Sequence, residues 1–172
     1  MRYKIAGTIV VSIAMILFVG ICTEYYVSDE IQELDLSAQA NLSDPDRINS
    51  NFSFNESVQI GESVFEVEIA DIKDKRILGL SGRVFLLPTQ GMLFIFEEPG
   101  IYTFWMKDMN FSIDILWIDE EKRIVHIIES LAPETFPEKY ISKNDALYVL
   151  ELSEGVVRDL GIKIGDEVVF DI

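Results

Sequence analysis

A tryptophan and a lysine alternate with apolar residues in one short segment, and they form the first candidate binding surface. The segment reads Phe104, Trp105, Met106 and Lys107. Because successive side chains of a strand point to opposite faces, Trp105 and Lys107 are expected to face outward together if the other two residues face the core. An exposed indole can stack on a sugar or an aromatic group, and a neighbouring ammonium can hold an anion. The alternative is that Trp105 is buried and Lys107 pairs with an acidic residue.

Charged side chains close by in the sequence extend this candidate ligand-binding surface. Asp108 and Asp114 follow the segment, and Arg76 and Arg83 flank the Gly79–Gly82 turn. A guanidinium can bind a ligand carboxylate or phosphate through two parallel hydrogen bonds. Both arginines can also pair with acidic residues of this chain, so the sequence leaves two interpretations open.

A hydrolytic site is the second kind of chemistry that the acidic residues allow. Glycoside hydrolysis needs two carboxyl groups about 5 to 9.5 Å apart, and the candidates are Asp108, Asp114 and Glu151. A Ser-His-Asp arrangement is disfavoured because the one histidine, His126, falls in a predicted strand. With one histidine and one cysteine, Cys22, the chain lacks the usual zinc ligand sets. Neither a metal site nor a cofactor is predicted.

The charge of the whole chain narrows the classes of partner. The 172 residues carry a formal net charge of −16, and 49% of them are hydrophobic. Nucleic acid is not expected as a partner, because binding to phosphates requires a basic face that displaces counterions. Docking on anionic lipid is disfavoured by the same acidity. The apolar fraction is sufficient for a hydrophobic core.

The first 23 residues have the pattern of a transmembrane anchor. Arg2 and Lys4 precede an uncharged stretch, residues 5–23, and the next charged residue is Glu24. As a helix this stretch spans about 28 Å, close to the hydrocarbon thickness of a bilayer. The basic flank predicts a single-pass cell-membrane protein, held through residues 5–22, with a cytoplasmic N-terminus and the remainder outside. The alternative is a cleaved signal peptide followed by secretion.

Residues 24–57 have the composition of a linker. The stretch is acidic and rich in Asn and Ser, and its apolar residues have no sustained period. Asn41, Asn51 and Asn55 each begin an Asn-x-Ser triplet, which is the acceptor pattern for N-glycosylation. We therefore predict a glycosylated stalk, and the alternative is that the triplets arise from linker composition. A fourth triplet, at Asn110, lies among large apolar residues and is a poorer candidate.

Residues 58–172 have the pattern of a β-rich domain. The predicted strands are Ser63–Ala70, Gly91–Phe96, Ile101–Lys107, Ile113–Ile118, Arg123–Glu129, Ala146–Leu152 and Asp166–Asp171. The predicted helices are Asp71–Ser81 and Ser153–Leu160, with a turn at residues 98–100 and a long loop over residues 131–144. The expected fold class is β-rich α+β, a small curled or barrel-like mixed sheet with two short helices, preceded by one transmembrane helix.

Six collinear motifs resemble those of the DUF192 (UPF0127) family, over roughly residues 64–168. The motifs are Arg76 with Gly79 and Leu80, Gly91–Phe96, Phe104–Lys107, Ile113–Ile115, Tyr148–Glu151 and Gly161–Asp166. The resemblance implies a compact β-barrel-like domain, often behind a signal or an anchor, and it implies no activity. The sequence departs from the family pattern at Ser81, where Met is usual, and at Asp108 and Met109, which replace Asn and Thr. Asp108 therefore offers a carboxyl group where the family pattern has an amide.

Three functions remain open from the sequence. The first is a binding or accessory module outside the membrane, whose ligand is a small molecule or a glycan and is contacted by Trp105, Lys107 and Arg83. The second is a hydrolase that acts on envelope material through the carboxyl groups named above. The third is a structural domain whose partner is another membrane or envelope protein.

Overall fold

Short strands dominate the computed structural model, which describes residues 53–172. The strands are β1 (Glu56–Ile60), β2 (Ser63–Ala70), β3 (Gln90–Gly100), β4 (Thr103–Phe104), β5 (Ile113–Ile118), β6 (Ile124–Leu131), β7 (Tyr140–Ile141), β8 (Ala146–Ser153) and β9 (Val168–Val169). The helices of this part are α1 (Lys73–Leu78) and α2 (Val156–Leu160), with a 3-10 turn at Pro133–Thr135.

The membrane segment at residues 5–22, the linker up to residue 52 and the triplets at Asn41 and Asn51 lie outside the described residues. Asn55 is described, and its side chain is exposed. Within residues 53–172, neither helix has the length and apolar character that crossing a bilayer requires.

Seven of the strands form one mixed sheet in the order β6-β5-β8-β3-β2-β1-β9. Strands β2 and β3 are parallel, and the other pairs in this sheet are antiparallel. The parallel pair needs a crossover, which is the segment that contains α1. At one end of the sheet Arg123 bridges to Glu167, so the two outermost strands approach each other. The expectation of a small, curled mixed sheet with two short helices is thereby confirmed.

Both faces of the sheet are covered by apolar side chains. One hydrophobic cluster includes Val58 of β1, Ile124 of β6 and Val168 of β9. Since these strands come from opposite ends of the sheet, this cluster fills the concave interior. The other cluster lies on the second face and includes Met92, Phe94, Ile115, Trp117 and Val149, covered by Leu80, Leu86 and Met106. All six residues of β5 are buried, which explains why the strand is apolar at every position except Asp114.

Strands β3 and β8 approach each other closely at Gly91. A Cβ atom at this position would lie 2.8 Å from the backbone oxygen of Glu151 and 2.9 Å from Cδ2 of Leu152. Both distances are below ordinary van der Waals contact, so a larger residue would push β8 away. Glycine at position 91 therefore helps to set where the Glu151 backbone lies.

Three predicted elements differ from the observed ones near the second face. Residues 98–100 were predicted as a turn, but they continue β3 to Gly100, with a register irregularity between Ile95 and Gly100. The predicted strand Ile101–Lys107 is reduced to the two residues of β4, which pair with β7 in a separate two-stranded sheet. The predicted long loop at residues 131–144 contains that partner strand.

Both helices are shorter than their patterns predict. Helix α1 ends at Gly79, which adopts φ of 52°, a conformation that glycine tolerates without a steric penalty. Helix α2 begins after Gly155 and not at Ser153, because β8 continues through Ser153. The predicted end of α2 at Gly161 is confirmed by its left-handed φ of 67°.

Candidate functional site

A cavity of about 220 Å³ opens on the second face of the sheet, beside α1 and the segment that contains β4. A cavity of about 150 Å³ in a protein core can hold benzene, so this one has room for a single ring with small substituents. Its aromatic walls are Phe94, Phe96, Tyr102, Phe104 and Trp105. Its charged lining residues are Lys73, Arg76 and Glu151, and we call the space the Glu151 cavity.

The aromatic walls are fixed by contacts with one another. The rings of Phe94 and Phe104 meet edge to face with centroids 4.9 Å apart. The rings of Phe96 and Tyr102 are stacked at 3.4 Å. Trp105 is 46% exposed, and its ring packs against Phe136 with centroids 6.3 Å apart. The cavity therefore has rigid inner walls and one solvent-accessible indole at its rim.

Glu151 is the carboxyl group of the cavity, and it is 5% exposed. Its Oε2 atom is buried and has no hydrogen-bond partner. Burial raises the pKa of Glu151 to about 8, and the positive charge of Arg83 opposes that rise. At neutral pH the carboxyl is therefore mostly protonated, and it can donate a hydrogen bond to a group placed in the cavity.

Arg83 is buried, and its positive charge acts on the Glu151 carboxyl. Glu68 of β2, Met92 of β3 and Glu151 of β8 form one row across the three strands, since Met92 pairs with both of the others. The Arg83 guanidinium donates a hydrogen bond to Glu68 in a salt bridge and is 4% exposed. Arg83 is not among the residues that line the cavity. Its charge acts on Glu151 from within the protein rather than on a ligand at the surface.

Arg76 fastens α1 to the end of β3 at the mouth of the cavity. Its guanidinium donates to the backbone oxygens of Asp71 at 2.6 Å and Ile95 at 2.8 Å, and to the Glu97 carboxylate at 3.0 Å. It also lies 5.2 Å from the centroid of the Phe96 ring. These contacts hold the helix over the aromatic walls, so Arg76 positions the site.

The alternation predicted around Trp105 is present. Met106 is buried at 1% exposure, while Trp105 and Lys107 are exposed. The pair does not act on one cavity, however, because Trp105 lines the Glu151 cavity and Lys107 does not. The ammonium of Lys107 instead bonds the Asp108 carboxylate at 2.7 Å. Asp108 has φ of 56°, and its backbone oxygen accepts a hydrogen bond from Gly82 at 2.8 Å.

Asp114 lies on the opposite face of the sheet from Glu151. Its neighbours Ile113 and Ile115 belong to the cluster on the second face, and alternation along β5 turns Asp114 toward the interior cluster. It is fully buried, and its two oxygens accept hydrogen bonds from the backbone N–H groups of Ser130 at 2.9 Å and Val157 at 3.0 Å. The carboxylate is thus engaged in joining β6 and α2 to β5.

The sequence contains a signal that Glu151 is special, beyond its place among the candidate catalytic carboxyls. The residue interrupts the apolar run of the predicted strand Ala146–Leu152, between Leu150 and Leu152. An acid inside a buried strand is rare unless it is paired or functional. The cavity itself was not predicted, because α1 and the segment around β4 form it through contacts between distant residues.

Four of the six motifs that carry the sequence resemblance supply lining residues to the Glu151 cavity. The first contributes Arg76, Gly79 and Leu80, the second Phe94 and Phe96, the third Phe104 and Trp105, and the fifth Glu151. Residues far apart in the chain therefore meet at one place.

Comparisons with other proteins match the part of the chain that contains these motifs. The sequence pattern of DUF192, described as an uncharacterized ACR, matches residues 56–170. A UPF0127 protein of Thermococcus sibiricus is 31% identical over 62% of this chain and 66% of its own length. A UPF0127 protein of Pyrococcus abyssi is 34% identical over 60% of this chain and 84% of its own length.

Two solved structures share the fold. A proposed transcription regulator from Sinorhizobium meliloti superposes with a TM-score of 0.64 at 32% identity, over 67% of this chain and 92% of its own. A protein of unknown function from Novosphingobium aromaticivorans gives a TM-score of 0.63 at 30% identity, over 66% of this chain and 83% of its own. Because the Sinorhizobium chain consists almost entirely of this fold, the fold forms without an N-terminal extension. The matches over residues 56–170 mean that this chain belongs to the DUF192 (UPF0127) family.

Proposed function

We propose that this domain binds a small organic molecule in the Glu151 cavity and that it is a binding module rather than a hydrolase. The observation that carries the proposal is a cavity with aromatic walls that contains a buried carboxyl oxygen without a partner. Ligand sites are typically apolar clefts with a few convergent polar groups, and a buried polar atom without a partner costs free energy unless a ligand or water satisfies it. A bound molecule with a polar atom near Glu151 would remove that cost.

The arrangement of carboxyl groups gives less support to hydrolysis. Among the described residues that line the Glu151 cavity, Glu151 is the one carboxyl group. Asp114 is buried on the other face, and Asp108 is exposed and paired with Lys107. Glycoside hydrolysis needs two carboxyl groups on either side of one bond, and these three residues do not line one cavity.

Filling the cavity is expected to abolish binding of ring compounds. For the domain of residues 53–172, we expect 4-isopropylbenzoate at ten times its Kd to stabilise by about 1.4 kcal/mol and to raise the melting temperature by about 3–6 °C. In Met109→Trp, an indole replaces a half-buried side chain of the wall, and the rise should be less than 1 °C by the same relation.

The matched control is Ile164→Trp, which adds the same indole at a side chain that is 61% exposed and outside the cavity lining. With 4-isopropylbenzoate, the melting temperature of this variant should rise as much as that of the native domain. If single-ring compounds leave the native melting temperature unchanged, or shift that of Met109→Trp equally, the binding function is refuted.

We further propose that residues 5–22 anchor the chain in the cell membrane with the domain outside. The support is the uncharged length of this stretch and the positions of Arg2, Lys4 and Glu24. An outward position would give the cavity access to molecules of the envelope or the medium. Secretion after cleavage is the competing outcome, and glycosylation of Asn41, Asn51 and Asn55 is a further expectation for the same topology.

Cysteine labelling in intact cells tests this topology. In a Cys22→Ser background, a membrane-impermeant maleimide should label Ile164→Cys, which is exposed on the domain, and should label Tyr3→Cys, which keeps both basic residues, only after permeabilisation. Labelling of Ile164→Cys only after permeabilisation would contradict the outward position. Recovery of the chain from the medium without its first residues would establish secretion, and mass spectrometry of the native protein would report any glycans.

A further inference from the structure

The two ends of the Glu151 cavity differ in chemistry. The inner end has the Glu151 carboxyl, which is buried under the aromatic walls. The outer end has Lys73, the first residue of α1, whose side chain is exposed and lines the mouth. A molecule that fills the cavity would contact both groups, so its two ends must satisfy different requirements.

We propose that the Glu151 cavity selects a small ring-bearing anion, with an uncharged hydrogen-bond acceptor at the end next to Glu151 and an anionic group at the end next to Lys73. This inference rests on the proposed binding function and adds the chemical class of the ligand. The acceptor is a carbonyl or ether oxygen, and the anion is a carboxylate or a group of similar charge.

The inner end requires an acceptor because of the groups around Glu151. The positive charge that acts on it, Arg83, is in a salt bridge with the half-buried Glu68, so this set of charged groups comprises two carboxyls and one guanidinium. Holding a proton on Glu151 leaves this set neutral. A protonated carboxyl has one O–H donor to offer, and a carbonyl oxygen of the ligand can accept that hydrogen bond.

The outer end favours an anion because both charged residues of the mouth are cations. Arg76 is in contact with Glu97 and with two backbone oxygens. Lys73 forms no ion pair with any residue of the described part of the chain, in contrast to Lys75, which bonds Asp71 at 3.2 Å. The Arg76 charge is compensated by Glu97, so a cationic ligand would be repelled chiefly by the Lys73 ammonium, whereas a carboxylate would gain a contact with it.

The test compares three single-ring probes by NMR titration or calorimetry on the domain of residues 53–172. The probes are 4-acetylbenzoate, which has both groups, 4-isopropylbenzoate, which has the same shape but lacks the acceptor, and acetophenone, which lacks the anion. We expect 4-acetylbenzoate to bind about tenfold more tightly than 4-isopropylbenzoate, since the hydrogen bond is worth about 1.4 kcal/mol. It should bind about fivefold more tightly than acetophenone, since an exposed ion contact is worth about 1 kcal/mol.

Substitutions test whether Glu151 causes the preference for an acceptor and whether Lys73 causes the preference for an anion. Glu151→Met should equalise the affinities for 4-acetylbenzoate and 4-isopropylbenzoate, whereas Glu151→Gln keeps an N–H donor and should retain the preference. Lys73→Ala should weaken binding of 4-acetylbenzoate about fivefold and leave acetophenone unaffected, because an exposed ion contact is worth about 1 kcal/mol at most. Lys75→Ala is the matched control on the same helix, and it should change neither the affinity for 4-acetylbenzoate nor that for acetophenone.

The pH dependence gives a readout that a purely structural role of Glu151 would not produce. The pKa of Glu151 is raised to about 8, so the affinity for 4-acetylbenzoate should fall about tenfold between pH 7 and pH 9 as the donor is lost. Other charged or titratable groups around the cavity include Lys73 and Arg76 of α1, Glu68, Arg83, Glu97 and Tyr102. The Glu151→Gln domain retains all of them, so a flat pH profile in this variant would assign the pH dependence of the native domain to Glu151.

The outcomes separate the two proposals. Equal affinities for 4-acetylbenzoate and 4-isopropylbenzoate, with no change between pH 7 and pH 9, would overturn this inference while leaving the binding function in place. Binding that Met109→Trp does not weaken, or no binding of any probe, would overturn both. Tighter binding of a cationic ring, tested with 4-acetylbenzylamine, would also overturn the inference.

Discussion

Replacing Glu151 with leucine is expected to raise the free energy of unfolding of the ligand-free domain by about 2–4 kcal/mol at pH 9. Above its pKa of about 8, this carboxyl must be ionised while it is buried at 5% exposure. Leucine has similar bulk and needs no hydrogen bond, and the wall beside it is apolar. The native residue therefore carries a stability cost that the fold does not require, as is common where a side chain serves binding.

The sign of the pH dependence follows from the pKa in the two states. Glu151 has a pKa near its usual 4.5 in the unfolded chain and about 8 in the folded domain. Between these values the folded state holds a proton that the unfolded state has released. Stability therefore falls as the pH rises through this window, by at most about 5 kcal/mol at about 1.4 kcal/mol per pKa unit.

Urea unfolding of the domain at pH 5, 7 and 9 measures this effect. The difference between Glu151→Leu and the native domain should grow steadily with pH. The control is Glu66→Leu, which changes an exposed glutamate on β2 and should give a nearly constant difference. If Glu151→Leu is less stable than the native domain at pH 9, or if its advantage does not grow with pH, the buried ionisable carboxyl is not the source of the cost.

The strands of the sheet could be predicted because their burial follows from short-range patterns. The run Ile113–Ile118 is apolar at all positions except Asp114, which is typical of a strand covered on both faces, and β5 has these bounds. The alternation in Ser63–Ala70 predicted β2, in which Phe65 and Val67 are buried. Alternation with a period of two residues is a local pattern, so it can be recognised in the sequence without knowledge of the fold.

The walls of the Glu151 cavity could not be predicted in the same way. The segment from Ile101 to Lys107 alternates like a strand, yet most of it is irregular. A turn at Asp108, with φ of 56°, and a hydrogen bond from Gly82 to the Asp108 oxygen hold this segment against the end of α1. Such a contact joins residues that are distant in the chain, and it overrides the local strand preference.

Replacing Asp114 with alanine is expected to destabilise the domain by about 3–5 kcal/mol. The carboxylate is fully buried and accepts hydrogen bonds from the N–H groups of Ser130 and Val157. Its removal leaves two N–H donors without an acceptor, and each buried unsatisfied group costs about 1–3 kcal/mol. Asp114→Asn keeps one acceptor oxygen and should lose about half as much. Asp166→Ala removes a partly exposed carboxylate that accepts one hydrogen bond, from the backbone N–H of Lys163, and a loss of about 0.5–1 kcal/mol is expected.

The same variants decide whether Asp114 has any part in binding, as the sequence had suggested. Asp114 and Glu151 lie on opposite faces of the sheet, so a structural role predicts that Asp114→Asn, measured well below its melting temperature, binds 4-acetylbenzoate as tightly as the native domain. A folded Asp114→Asn domain with affinity reduced about tenfold or more would instead require that Asp114 communicates with the cavity through β5 and β8. Unfolding by urea and titration with the same probe, performed on one preparation, distinguish the two cases.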